Sequence, residues 1–132
     1  MSARNPGSAA TLVDAEGYAL TPAMTATIAD TASLSAAVIL DGKMPCGFYI
    51  PASFEGGNLQ FQASHDGETF FDVYDEDGEK VQLVAASSTF VQISNPVGWL
   101  GTYAMKIRSV TSGGDAQAQT SAAAIVISLQ GA

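Results

Sequence analysis

The clearest hydrophobic pattern in the chain is "NLQFQAS", residues 58–64, in which Leu59, Phe61 and Ala63 point one way and Gln60, Gln62 and Ser64 the other. A period of two puts neighbouring side chains on opposite sides of a strand, so this segment predicts one core face and one wet face. Short runs of similar texture recur along the chain. "TATI" and "SLSAAVIL" come first, followed by "DGK" at Asp41 to Lys43 and then "MPCGFYIP". Asp-Gly tolerates positive φ, so "DGK" reads as a hairpin connection. "FEGGN" is a second break. Further on, Asp66-Gly67 closes a turn, "FFDVYD" returns as a strand, Asp77-Gly78 closes another turn, and "KVQLVA", "FVQI", "YAMKIR" and "AIVISL" continue the series. In "YAMKIR", Tyr103, Met105 and Ile107 face opposite to Lys106 and Arg108. "SNPVGWLGTY" is a loop with the only tryptophan, Trp99. No long amphipathic helix interrupts the pattern. It predicts an all-β fold, a jelly-roll-like antiparallel β-sandwich of about eight strands.

Residues 1–24 have a different texture. They are rich in Ala, Ser, Thr, Gly and Pro, with isolated large groups at Leu12, Val13, Tyr18, Leu20 and Met24 and no sustained period. We read them as an extended N-terminal arm, with residues 25–132 forming the sandwich. An arm of this kind gains order by packing scattered apolar side chains on a partner, which makes those five the candidate partner-binding residues.

Composition narrows the function classes. The chain has 132 residues, enough for one domain with a real core. Only 14% of residues are charged, against about 25% in an average soluble protein. Much of the surface is therefore neutral, which suits one that is partly covered. The net charge is -8, with Arg4, Lys43, Lys80, Lys106 and Arg108 as the only cations. Such a chain repels phosphate backbones and anionic lipid, so we expect no direct nucleic-acid partner and no membrane. Cys46 has no partner for an intrachain disulfide and reads as a small buried hydrophobe. "MSARNPGSAATLV" lacks an apolar signal core, and no apolar run reaches spanning length, so synthesis in the cytoplasm without a secretion signal is expected.

Candidate chemistry centres on "SHDGETFFDVYDEDGEKVQL", residues 64–83, with seven acids and one lysine. An EF-hand loop needs oxygen ligands at alternating positions, a central Gly and a bidentate acid at position twelve. Asp75, Asp77, Gly78 and Glu79 do not keep that register. A looser Ca²⁺ site from Asp72, Asp75 and Asp77 is the metal alternative. The simpler reading is that these acids form turns and keep strand ends from pairing with other chains. No carboxylate pair is singled out for glycoside hydrolysis. His65 is the only histidine, which excludes sites built on several histidines, and Ser64, His65 and Asp66 are sequence neighbours in a turn rather than a spatial triad. Gly56-Gly57 and Gly113-Gly114 are isolated pairs, not a phosphate loop. We therefore expect no enzyme activity, no catalytic residues, no metal site and no cofactor. Phe70, Phe71, Tyr74 and Trp99 are candidates for a sugar-stacking platform or a subunit interface, unless both sheet faces are covered.

The run "LQFQASHDGETFFDVYDEDGEKVQL", followed at a distance by "YAMKIRS", resembles small structural proteins of tailed bacteriophages. In these a strand ends in Ser-x-Asp-Gly, an aromatic follows, an acidic Asp-Gly turn comes next, and a late strand reads Lys-Ile/Val-Arg-Ser. The resemblance covers roughly residues 33–129. It implies a capsid decoration (cement) protein on the virion surface, with the major capsid protein as partner and a homotrimer or another symmetric cluster as its assembled form. Arg4, Lys43, Lys106 and Arg108 would then pair with capsid acids. Two alternatives stay open: a carbohydrate-binding or host-attachment module, and a neck or tail subunit of the same particle.

Overall fold

The computed structural model describes residues 23–131. Nine strands run through this span: β1 (Ala23–Ile28), β2 (Val38–Ile39), β3 (Lys43–Tyr49), β4 (Asn58–Ser64), β5 (Phe71–Asp72), β6 (Gln82–Val84), β7 (Phe90–Gln92), β8 (Ala104–Val110) and β9 (Ala123–Gly131). They form two antiparallel sheets, β1-β9-β3-β7 and β2-β8-β4-β5, with β6 also paired to β4. The fold is the all-β sandwich that the alternating runs predict. Six of the eight connections pass from one sheet to the other, leaving only β4 to β5 and β5 to β6 within a sheet. That wrapping is jelly-roll-like.

Alternation places the core between the sheets. Ile125, Ile127 and Leu129 of β9 face Leu59 and Phe61 of β4 and Met105 and Ile107 of β8, all of them buried. Phe61 sits at the centre, stacked on Phe48 at 5.4 Å and met edge-on by Trp99 at 5.6 Å. Trp99 lies in a short 3₁₀ turn, Pro96–Trp99, and is buried, so the loop plugs the core.

Several local expectations are corrected. Asp41 and Gly42 both have positive φ, and the Lys43 N–H donates to the Leu40 carbonyl at 3.0 Å, as a tight Asp-Gly turn requires. The turn nevertheless joins no hairpin, because β2 pairs with β8 while β3 pairs with β7 and β9. Local sequence sets the turn's dihedrals, and long-range pairing decides where its arms go. In "SLSAAVIL" only Val38–Ile39 is strand. "FFDVYD" and "KVQLVA" contribute strands of just two and three residues, since β5 and β6 share one edge of β4, and the segments also pair with each other through Tyr74 and Lys80.

The outward side of β4 is not wet either. Asn58, Gln60 and Ser64 are buried. The Gln60 amide donates to Gln82 Oε1 at 2.9 Å, and Gly114 packs its backbone over Gln60, so burial is matched by hydrogen bonding. Cys46 is half-buried rather than buried. Tyr103 precedes β8 and is exposed instead of joining Met105 and Ile107 in the core.

Candidate functional site

The acidic stretch resolves into turns. Asp66 Oδ1 accepts from the backbone N–H groups of Glu68 (2.8 Å) and Thr69 (2.9 Å) and from the Ser64 hydroxyl (2.9 Å). Those bonds, the Thr69 amide foremost, pull its pKa down to about 2. Asp75 Oδ1 repeats the device one turn later, accepting from Asp77 and Glu79 N–H, both at 2.9 Å. Ser64 thus bonds Asp66 directly while His65 is exposed, an arrangement that is not a nucleophile-base relay. Among the described residues no group of three His, Cys, Asp or Glu side chains converges to hold a metal ion. Asp72, a member of the Ca²⁺ alternative, is held by cations instead.

Those cations define the first surface, the outer face of the β2-β8-β4-β5 sheet. Strand register sets Lys106 beside Gln62 and Asp72, and Arg108 beside Gln60 and Gln82. Asp72 is bridged by Arg108 at 3.3 Å and Lys80 at 3.4 Å. Its carboxyl is held below the usual range first by the Gln62 amide and then by these two charges, against some burial. Lys106 Nζ lies 4.4 Å from the Phe70 ring centre, and Lys80 Nζ lies 5.6 Å from that of Tyr74. Three of the chain's five cations therefore meet on one sheet face.

The outer face of the other sheet contrasts with it. One cross-strand row reads Thr25, Val126, Tyr49 and Phe90; the next reads Ala23, Ser128, Gly47 and Gln92. Thr27 and Ala124 extend the first pair of strands. None of these residues is charged. Tyr49 and Phe90 pack with ring centres 4.4 Å apart and stay about half exposed. Phe90 lies over Gly47, where a Cβ would collide with its ring. The result is a neutral plateau of small residues with one aromatic pair.

The third feature is a cleft of about 500 Å³ between the 73–83 segment, which joins β5 to β6, and the 93–102 segment. Val73, Val81, Leu83 and Ile93 supply its apolar wall, and Tyr74, Asp75 and Asn95 lie among its polar lining. Trp99 also reaches it. Of the aromatics singled out by sequence, Tyr74 and Trp99 come together here, whereas Phe71 is exposed at the sheet edge and Phe70 lies under Lys106.

Of the five candidate partner-binding residues, Leu12, Val13, Tyr18 and Leu20 lie outside the described residues. Met24 belongs to β1, pairs with Ile127 and packs half-buried against the core. The strand thus begins within the span read as arm. Sequence reasoning missed the neutral plateau, although alternation in "TATI" and "AIVISL" marked which residues face outward; what it lacked was the pairing that sets β1, β9, β3 and β7 side by side.

Fold and surfaces together define an antiparallel β-sandwich with two chemically opposite outer faces. The sequence matches no protein-family model and no curated protein.

Proposed function

We propose that the chain is a non-enzymatic structural protein of a tailed-phage virion, a capsid decoration protein that binds the major capsid protein and stabilises the shell. The observation that carries this reading is the sorting of charge between the two sheet faces: the rows through Val126 and Gly47 on one carry none, and the other gathers Lys80, Lys106 and Arg108 around Asp72. Flat faces several strands wide suit contact with another protein, and the resemblance of residues 33–129 to phage structural proteins supplies the setting.

On an acidic chain, the face where three cations meet suits an acidic patch on the shell. Arg108 and Lys80 keep roughly a quarter to a third of their side chains exposed, and pairs of that kind contribute only about 0 to 1 kcal/mol each. They set register and speed encounter more than they set affinity. Tight retention then comes from repetition across the lattice and from residues 1–22 acting as a second attachment.

The test is size-exclusion chromatography with light scattering on the full chain mixed with phage heads assembled without it. We expect co-migration that weakens at raised salt and with Lys106→Glu combined with Arg108→Glu. Failure to co-migrate at any salt concentration rejects the reading.

A second reading, a carbohydrate-binding module for host attachment, rests on the cleft that Tyr74 and Trp99 share. It expects saturable saccharide binding that shifts Trp99 fluorescence; a flat glycan array removes it. A neck or tail station uses the same surfaces and is separated by where the chain resides in dissected particles.

A further inference from the structure

We infer that the neutral plateau of the β1-β9-β3-β7 sheet pairs with the same plateau of a second copy, giving a two-fold dimer. Charge points to this occupant. Each copy has a net charge of -8, and like charges repel most strongly within a screening length, about 8 Å at physiological salt, so a face without acids is the one on which two copies approach at least cost. On this plateau, the rows through Val126 and Gly47 hold no charge in either copy, so contact buries no ion and apposes none. The apolar content is also suitable. Phe90 lies over Gly47 and packs against Tyr49, a preformed aromatic contact that loses little side-chain freedom on binding. The same patch meeting itself is an isologous contact, which closes at two copies and forms no fibre.

Area sets the expected strength. Four strands about 4.8 Å apart, averaging about six residues at about 3.3 Å though β7 has only three, make a plane of roughly 400 Å² per copy. Pleating and side chains raise the accessible area above that, which brings the pair near the roughly 1,000 Å² where specific interfaces begin. The dimer is therefore a weak one, read at protein concentrations of roughly 10 µM to 1 mM.

Val126 lies on β9, an inner strand of this sheet, so a two-fold axis through the plateau passes close to it. The experiment is analytical ultracentrifugation of the full chain without heads. The weight-average mass should rise with concentration from 13.5 kDa toward twice that value. Val126→Lys and Val126→Glu should each hold the chain at single-copy mass, and an equimolar mixture of the two should recover pairing, because unlike charges now meet across the axis. Thermal melts confirm that both variants fold; if either does not, Thr25→Lys and Thr25→Glu, in the same row and exposed, replace them. A wild-type chain that stays at 13.5 kDa to 1 mM, a mass that climbs to three copies, or variants that pair as well as wild type would each overturn the inference. Head binding is measured separately, so loss of pairing with retained co-migration leaves the shell-binding proposal standing.

Discussion

Gln119 offers the sharpest test of how loops hold the two sheets in place. It is buried, yet its side chain copies a peptide group: Nε2 donates to the Glu55 carbonyl at 2.8 Å and Oε1 accepts from the Glu55 N–H at 2.9 Å. Its own backbone is tied to Ala32 and Thr31. One residue thereby pins the "FEGGN" break to the start of the segment leading into β9, and the Glu55 carboxylate reinforces the tie by accepting from Thr120 N–H and its hydroxyl. Gln119→Leu keeps most of the volume and removes both bonds. Each is worth about 1 kcal/mol net, and the orphaned Glu55 groups add a desolvation cost of up to about 1 kcal/mol each, because Glu55 is only half-buried and water reaches part of it. The expected loss is about 2 to 4 kcal/mol, or roughly 6 to 20 °C in Tm for a domain of this size. Urea denaturation followed by Trp99 fluorescence and by circular dichroism measures it. A loss below about 0.5 kcal/mol at unchanged denaturant slope would refute the assignment of Gln119 as the tie.

Three further outcomes follow from the geometry. Phe48→Ala removes a fully buried ring stacked on Phe61 and should cost about 3 to 5 kcal/mol in the same denaturation experiment; a loss under 1 kcal/mol would mean the core closes differently. Gly47→Ala should destabilise by about 1 kcal/mol, because its Cβ meets the Phe90 ring and the Val91 carbonyl. The added Phe90→Ala change should recover part of that loss, and strict additivity in this double-mutant cycle would show that the ring does not press on position 47. Asp66 has a folded pKa of about 2, below its unfolded value near 3.9, so its contribution is fully present above about pH 5 and is lost as pH falls toward 2. Wild type should therefore be more stable than Asp66→Ala at pH 6 and approach it near pH 2, and a constant difference across that range would contradict the turn assignment.

Much of the sandwich was legible in the sequence because alternation reports which side of a strand is buried. Leu59, Phe61, Met105 and Ile107 all face the core as the period of two requires. The Asp66-Gly67 and Asp77-Gly78 turns were legible for a different reason: short acidic side chains bond to backbone two or three residues away, so a local signal suffices. Partner choice was not legible. "DGK" has a hairpin's dihedrals and no hairpin, and Gln60 looks solvent-facing until Gln82 and the Gly114 loop are brought over it from far along the chain. The candidate surfaces share that limit. Lys80, Lys106 and Arg108 are up to 28 positions apart in the numbering, and only the pairing of β4 with β8, β5 and β6 gathers them.

The proposed place of the chain is the capsid surface. Quantitative mass spectrometry of purified particles, with heads and tails separated, tests it most directly. Many copies per particle, confined to the head fraction and in fixed ratio to the major capsid protein, are expected. Recovery in the tail fraction alone, or absence from washed particles, would contradict it.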